Sequence, residues 1–248
     1  MKKFLFSIII GCSCMLSSVF SASVFASGGE NDPFMSDNSS DTNSVEQGIA
    51  DPLEAYNRAV YTFNDKLYVF FFRPVARGYG YVMPEPARKA VKRCFANAAM
   101  PVRFVNCLLQ RKAQGAGIEL SRFLVNTTIG IAGLFDPAKS TFGLKPFPED
   151  SGQTLGVYGM SPGWYIVWPL LGPSTMRDTL GSVMDTLLDP LTYADIKMWE
   201  RGALKTFSTV NGISMRIDVI DGLKKSAVDP YISLRNGYCQ YRENAIKK

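Results

Sequence analysis

The sequence predicts an all-α fold, on three observations. Apolar residues recur at spacings of three and four through most of residues 51–248. Strand-like alternation is nowhere sustained. Asp-Pro pairs, which favour helix N-termini, stand at both ends of that stretch as Asp51-Pro52 and Asp229-Pro230. With 248 residues, 46% of them hydrophobic and 20% charged, the chain is long enough for one sizeable core. Residues 51–248 therefore read as one helical domain.

Two segments precede that domain. MKKFLFSIIIGCSCMLSSVFSASVFA, residues 1–26, has a basic start, an apolar stretch and small residues toward its end, which is the pattern of an export signal. Two processing routes are open: cleavage after Val24-Phe25-Ala26, or acylation of Cys12 in the lipobox-like Ile9-Ile10-Gly11-Cys12. Residues 27–50 carry Glu30, Asp32, Asp37, Asp41 and Glu46 with no Lys or Arg and almost no apolar periodicity. They cannot bury enough surface to offset chain entropy and read as a disordered acidic tether.

Within the domain, Leu53, Tyr56, Val60, Phe63, Leu67, Phe70 and Phe71 mark one helix face, ending in YVFFF before Arg73-Pro74. That end is apolar on every side and suits either a core or a lipid-facing surface. A second helix from Pro86 carries Ala87, Val91, Phe95 and Ala98, breaks at Pro101, and continues through Val102, Val105, Leu108 and Leu109. GAGIELSRFLVNTTIGIAGLF is helical in pattern but loosened by Gly115, Gly117, Gly130 and Gly133. DPAKSTFGLKPFPEDSGQTLGVYG follows, a long segment crowded with Pro and Gly that reads as a functional hairpin with Pro146 and Pro148 near its tip. Ser174 then caps a helix with Met176, Leu180, Met184, Leu187 and Leu188 on its apolar face. A long helix is expected from Ala194 to Asp221, stopped by Gly222, and a last one opens at Asp229-Pro230.

Composition excludes several chemistries. The chain has no histidine, which removes Ser-His and Cys-His nucleophile pairs and every His-ligated metal site. Cys94, Cys107 and Cys239 are far apart, fit no CxxC pattern, and read as small hydrophobes. No cofactor is implied. Residues 51–248 carry 25 Lys and Arg against 17 Asp and Glu, a net charge of +8 that could face anionic lipid or an acidic partner. Nucleic acid is disfavoured by the export signal. The longest apolar runs of the domain, LYVFFF and WYIVWPLL, fall below the roughly 20 residues that span a bilayer, and their Tyr and Trp favour the headgroup boundary.

Six segments in series resemble the VacJ/MlaA family of outer-membrane phospholipid-transport lipoproteins: DPLEAYNRAVYTFNDKLY, RPVARGYGYVMPEPAR, SRFLVNTTIGIAGLFDPA, SGQTLGVYGM, WPLLGPSTMRDTLG and DPYISLRNGY. The resemblance implies a ring-like helical domain in the periplasmic leaflet of the outer membrane. An amphipathic channel would run through the ring, beside a trimeric porin. Phospholipid from the outer leaflet would pass through it to a periplasmic phospholipid-carrier protein, maintaining lipid asymmetry. It implies a channel-gating hairpin over residues matching Phe135, Phe142, Gly143, Pro146, Gly156 and Gly159, and a helix segment at Phe63 and Asn64 that holds the channel state. Phe70, Phe71, Phe72, Trp164, Tyr165 and Trp168 are the expected membrane-interface residues. The chain departs from the family at Cys12, which a second apolar stretch follows. Two other classes stay open from the residues themselves: a lipid hydrolase using Ser174 with a lysine or carboxylate, and a soluble or peripheral periplasmic interaction protein with an ordinary core.

Overall fold

The computed structural model describes residues 51–248 and is all-α apart from one short strand pair. The signal, the candidate acylation site Cys12 and the acidic tether lie outside the described residues. Helix α1, Glu54–Leu67, runs without interruption through a π-helical turn, Tyr68–Phe72, into α2, Arg73–Val82. The expected stop before Arg73-Pro74 is therefore absent. In the π-turn the Arg73 N–H donates to the Tyr68 carbonyl, five residues back. That wider turn accommodates a proline ring that would otherwise clash with the preceding carbonyls. Asp51 is likewise not the cap of α1. Its carboxylate accepts from Asn57 Nδ2 at 2.8 Å and from the Tyr231 hydroxyl, fastening α1 to the last helix.

Helices α3, Glu85–Ala98, and α4, Met100–Leu109, meet at Ala99, with Pro101 in the first turn of α4 where a missing N–H leaves nothing unsatisfied. After α5, Ala113–Thr128, the expected hairpin takes the form of two short helices, α6 at Pro137–Ser140 and α7 at Ser151–Val157, joined by the extended stretch 143–150. Residues 165–175 form an antiparallel pair, β1 at Tyr165–Trp168 and β2 at Gly172–Thr175, with Tyr165 opposite Thr175 and Trp168 opposite Gly172. The turn falls at Pro169–Leu171. Thr175, not Ser174, caps α8, Met176–Leu188, its hydroxyl accepting from the Asp178 N–H at 3.2 Å.

The long helix expected over 194–221 divides into α9, Met198–Ser214, and α10, Ile217–Ser226, so that Gly222 lies inside a helix. The break is held from outside: Arg88 Nη1 donates to the Ser214 carbonyl at 2.7 Å, supplying a partner that the next helical turn would have provided. Asp229 caps α11, Pro230–Lys247, as its position predicts, accepting from the N–H groups of Tyr231 and Ile232.

Apolar packing is split into two small clusters. Val60, Tyr165, Val167, Tyr231 and Tyr238 join α1, β1 and α11, while Ala76, Val210 and Ile217 join α2, α9 and α10. Between α4, α7, α8 and α11 the interior is polar instead.

Candidate functional site

Helix α8 shows the governing pattern. Its buried face is Arg177, Asp178, Gly181 and Asp185, whereas Met176, Leu180, Val183, Met184 and Leu187 point outward, Leu187 at 60% exposure. The apolar stripe read from the sequence is real, but it faces out of the protein. Helix α5 repeats the arrangement, burying Gly115, Ala116, Glu119 and Asn126 and exposing Leu120 and Leu124. Helix α1 buries Asn57 and Val60 while exposing Tyr56 and Phe63. Among the described residues, buried polar and charged side chains outnumber buried apolar ones. Water-soluble domains distribute these residues the other way.

The polar interior is built from paired charged and polar groups. Arg242 donates to both oxygens of Asp150, at 2.6 and 2.9 Å, and to both oxygens of Asp178, at 3.1 and 2.8 Å. The Tyr238 hydroxyl adds a bond to Asp178 at 2.8 Å. Burial pushes the Asp178 carboxyl up, but Arg242 and its neighbours outweigh burial and hold it below the ordinary range. Next to this group, Asp185 Oδ1 accepts from Ser151 N–H, Ser151 Oγ and Asn106 Nδ2 at 3.0, 2.6 and 3.1 Å. With no cation among those contacts, burial and then the charge of Asp150 push the Asp185 carboxyl up to about 6. Helices α7 and α8 cross closely at glycines, since a Cβ on Gly181 would overlap the Gly152 backbone. A second polar pair anchors the extended stretch: Glu119 accepts from Arg103 Nε and from the Phe147 N–H, both at 2.7 Å.

Two asparagines seven residues apart on α1 hold the strand pair. Asn57 accepts from the Val167 N–H at 2.8 Å and donates to the Tyr165 carbonyl at 3.1 Å. Asn64 accepts from the Leu170 N–H at 2.7 Å and donates to the Trp168 carbonyl at 2.9 Å. Two helical turns separate them, so both side chains leave the same face, Asn57 meeting the edge of β1 and Asn64 its end and the turn beyond it. Phe63, by contrast, is half-exposed on the outer face.

The predicted interface residues divide. Phe70, at 78% exposure, and Phe71 point outward, while Phe72 packs against the Ala76, Val210 and Ile217 cluster. Trp164 is exposed, and Trp168 is half-buried with Nε1 donating to Thr179 at 3.0 Å. Tyr165 is not an interface residue: it is wholly buried, ringed by Tyr231 and Tyr238, because alternation along β1 turns it inward. In the segment expected to gate, Phe135, Phe142 and Pro146 are exposed. Gly143 and Gly159 adopt left-handed backbone, φ +66° and +86°, with open space around them. Gly156 lies inside α7, where a Cβ would come 2.6 Å from Ile246 Cδ1. Asp136 ties the base of the segment to α5, accepting from Asn126 at 2.9 Å and Arg122 at 3.1 Å. Ser174 Oγ lies 3.0 Å from the Thr179 hydroxyl and donates to the Thr175 carbonyl, an arrangement without a base at hand. Among the described residues no cluster of acidic or cysteine side chains is placed to hold a metal ion.

Fold and side-chain distribution define a helical protein with a polar interior and apolar outer faces. Among the described residues no helix is long and apolar enough to cross a membrane. A family model described as MlaA lipoprotein matches residues 49–245, and the chain belongs to that family. The intermembrane phospholipid transport system lipoprotein MlaA of Escherichia coli K12 is 34% identical over 200 residues, 79% of this chain and 78% of that protein. Its counterpart in Haemophilus influenzae is 30% identical over 209 residues, 82% and 81% of the two chains. A Rickettsia prowazekii protein is 33% identical over 203 residues, covering 80% and 79%. A solved structure, reported as the structural basis for maintenance of bacterial outer membrane lipid asymmetry, superposes with a TM-score of 0.72 at 32% identity, over 79% of this chain and 99% of that one.

Proposed function

We propose that the protein lies in the periplasmic leaflet of the outer membrane and moves misplaced phospholipid from the outer leaflet inward. The observation that carries this reading is α8, with its apolar residues outside and its charged residues inside. Apolar faces of that kind are stable where acyl chains replace water, and each half-exposed Leu or Met gains on the order of 1 kcal/mol there. The names of the similar proteins, which place the E. coli and H. influenzae relatives in intermembrane phospholipid transport, support it.

A conduit for phospholipid needs an apolar wall for tails and a polar wall for the head, and breaks no bond. The two separate apolar clusters, with a polar network elsewhere in the interior, suit a domain built around a lumen rather than around one core. Phe135 and Phe142, carried on a segment with left-handed glycines at 143 and 159, are the gate, and Asn64 holds the neighbouring strand pair in place. A trimeric porin at the apolar perimeter and a periplasmic carrier that receives the lipid complete the pathway.

The test is purification of the full chain from outer membrane in mild detergent, with native mass spectrometry of what it retains. The proposal expects bound phospholipid, displaced when Leu180 and Leu187 are both replaced by Asp. A folded protein that fractionates without detergent and carries no lipid would contradict it, and would favour the periplasmic interaction protein.

A further inference from the structure

Charge is segregated within the domain. Residues 73–98 and 198–226 hold eleven Lys and Arg against four Asp and Glu, a net of +7, which leaves only +1 of the domain's +8 for everything else. These residues are α2, α3, α9 and α10, and they pack as one lobe. Tyr79 donates to Asn211 at 3.0 Å, Asn211 donates to the Arg88 carbonyl at 3.0 Å, and Arg73 pairs with Asp221 at 2.5 Å.

Several of the lobe's cations stand at its surface. Arg77, Lys89, Arg93 and Lys225 are exposed, Lys89 beside an equally solvated Glu85 at 2.7 Å. The same lobe exposes aromatic and aliphatic groups: Tyr81 at 94% exposure, one turn beyond Arg77 on α2, with Val82, and Trp199 with Met198 at the start of α9. Cations mixed with Tyr and Trp are the residues of the headgroup boundary, where an aromatic ring sits between tails and water and cations meet phosphate. An acidic protein surface would need the cations but not the exposed Tyr81, Val82, Met198 and Trp199.

We propose that this lobe seats anionic phospholipid headgroups, so that the protein prefers phosphatidylglycerol-containing bilayers to purely zwitterionic ones. The proposal rests on the membrane reading above and adds a headgroup preference to it. The experiment is flotation of the purified full chain, moved from detergent into vesicles of phosphatidylethanolamine with or without phosphatidylglycerol, at low and high salt. Each surface cation near an anionic bilayer contributes roughly fivefold to partitioning. Lys89→Gln, Arg93→Gln and Lys225→Gln together are therefore expected to weaken binding to the anionic vesicles by up to roughly a hundredfold at low salt, with the wild-type preference fading at high salt. A control triple, Lys145→Gln, Lys247→Gln and Lys248→Gln, is expected to change it far less, and thermal unfolding verifies that both triples are folded. Equal, salt-insensitive binding to both vesicles would overturn the headgroup preference while leaving the membrane reading standing. No binding of folded protein to either vesicle would overturn the membrane reading itself. If the lobe triple floats like wild type but loses affinity for polyglutamate, the lobe belongs to an acidic protein partner and the proposal fails.

Discussion

Replacing Arg242 by Met tests the polar interior most severely. The guanidinium makes four hydrogen bonds to Asp150 and Asp178, and all three residues are buried. Met fills similar volume, so the main loss is electrostatic: two buried carboxylates lose the cation they share, and Asp178 alone keeps another, Arg177 at 3.2 Å. Removing one partner of a buried ion pair typically costs about 3–5 kcal/mol. For a domain of this length that corresponds to a fall in Tm of roughly 10 °C. The deficit also has a pH signature. In the wild type the Asp178 carboxyl is held below its ordinary value, so its contribution is present above the unfolded pKa and is lost as pH falls through the folded one. Without Arg242, burial weighs more heavily on the Asp178 carboxyl, the native state binds protons more readily than in the wild type, and the variant's deficit shrinks between pH 7 and 4. Far-UV circular dichroism melts in detergent across that range measure both effects. A change below about 1 kcal/mol, or a deficit that does not depend on pH, would refute the assignment of Arg242 as the clamp of this network.

Other perturbations follow from the same geometry. Asp185→Asn keeps the acceptor used by Ser151 and Asn106 but removes a carboxyl whose folded pKa is raised to about 6. In the wild type that raised value makes stability fall as pH climbs from about 4 to 6, so the variant should lose this slope and gain on the order of 2 kcal/mol above pH 6; melts with an unchanged slope would contradict it. Gly181→Ala forces a methyl into the Gly152 backbone, which cannot move aside, and should destabilise by at least about 2 kcal/mol, against near neutrality for Gly202→Ala, which meets nothing. Phe70→Asp puts a charge on the outward side of the π-turn and should reduce retention in detergent-free membrane fractions by tenfold or more, whereas normal retention would make that surface aqueous. Shortening the segment between Lys139 and Glu149 should alter outer-leaflet phospholipid, with a lower Tm because Glu119 loses the Phe147 N–H, and unchanged surface lipid in a folded protein would remove its gating role.

The helices were legible because their apolar spacing and caps are local. Asp229-Pro230 opens α11 where its pattern says, and the stripe on α8 runs through the residues that periodicity selects. The direction of that stripe was not legible, because an apolar face looks the same whether it meets a core or an acyl chain. Long-range polar pairing escaped as well. Asn57 meets β1 across about 110 residues of chain and Arg242 meets Asp150 across 92, and nothing local distinguishes such residues from solvated ones. Seven-residue spacing of Asn57 and Asn64 inside an otherwise apolar pattern was the available signal for the first. The proline at 74 reads as a helix stop by local rules, and only a π-turn, whose cost the packing of Phe72 and Ala76 offsets, carries the helix through. Tyr165 was misplaced for a simpler reason: an aromatic-rich run read without its two-residue strand period cannot tell Trp164, which is outside, from Tyr165, which is inside.

The most direct test of the account is phospholipid exposed on the cell surface, measured by outer-leaflet labelling in cells lacking the protein and in cells re-expressing it. The account predicts raised surface phospholipid without the protein, restored by the wild type and not by a folded, membrane-retained variant lacking the 139–149 stretch. Surface phospholipid that is the same with and without the folded protein in the membrane would contradict it.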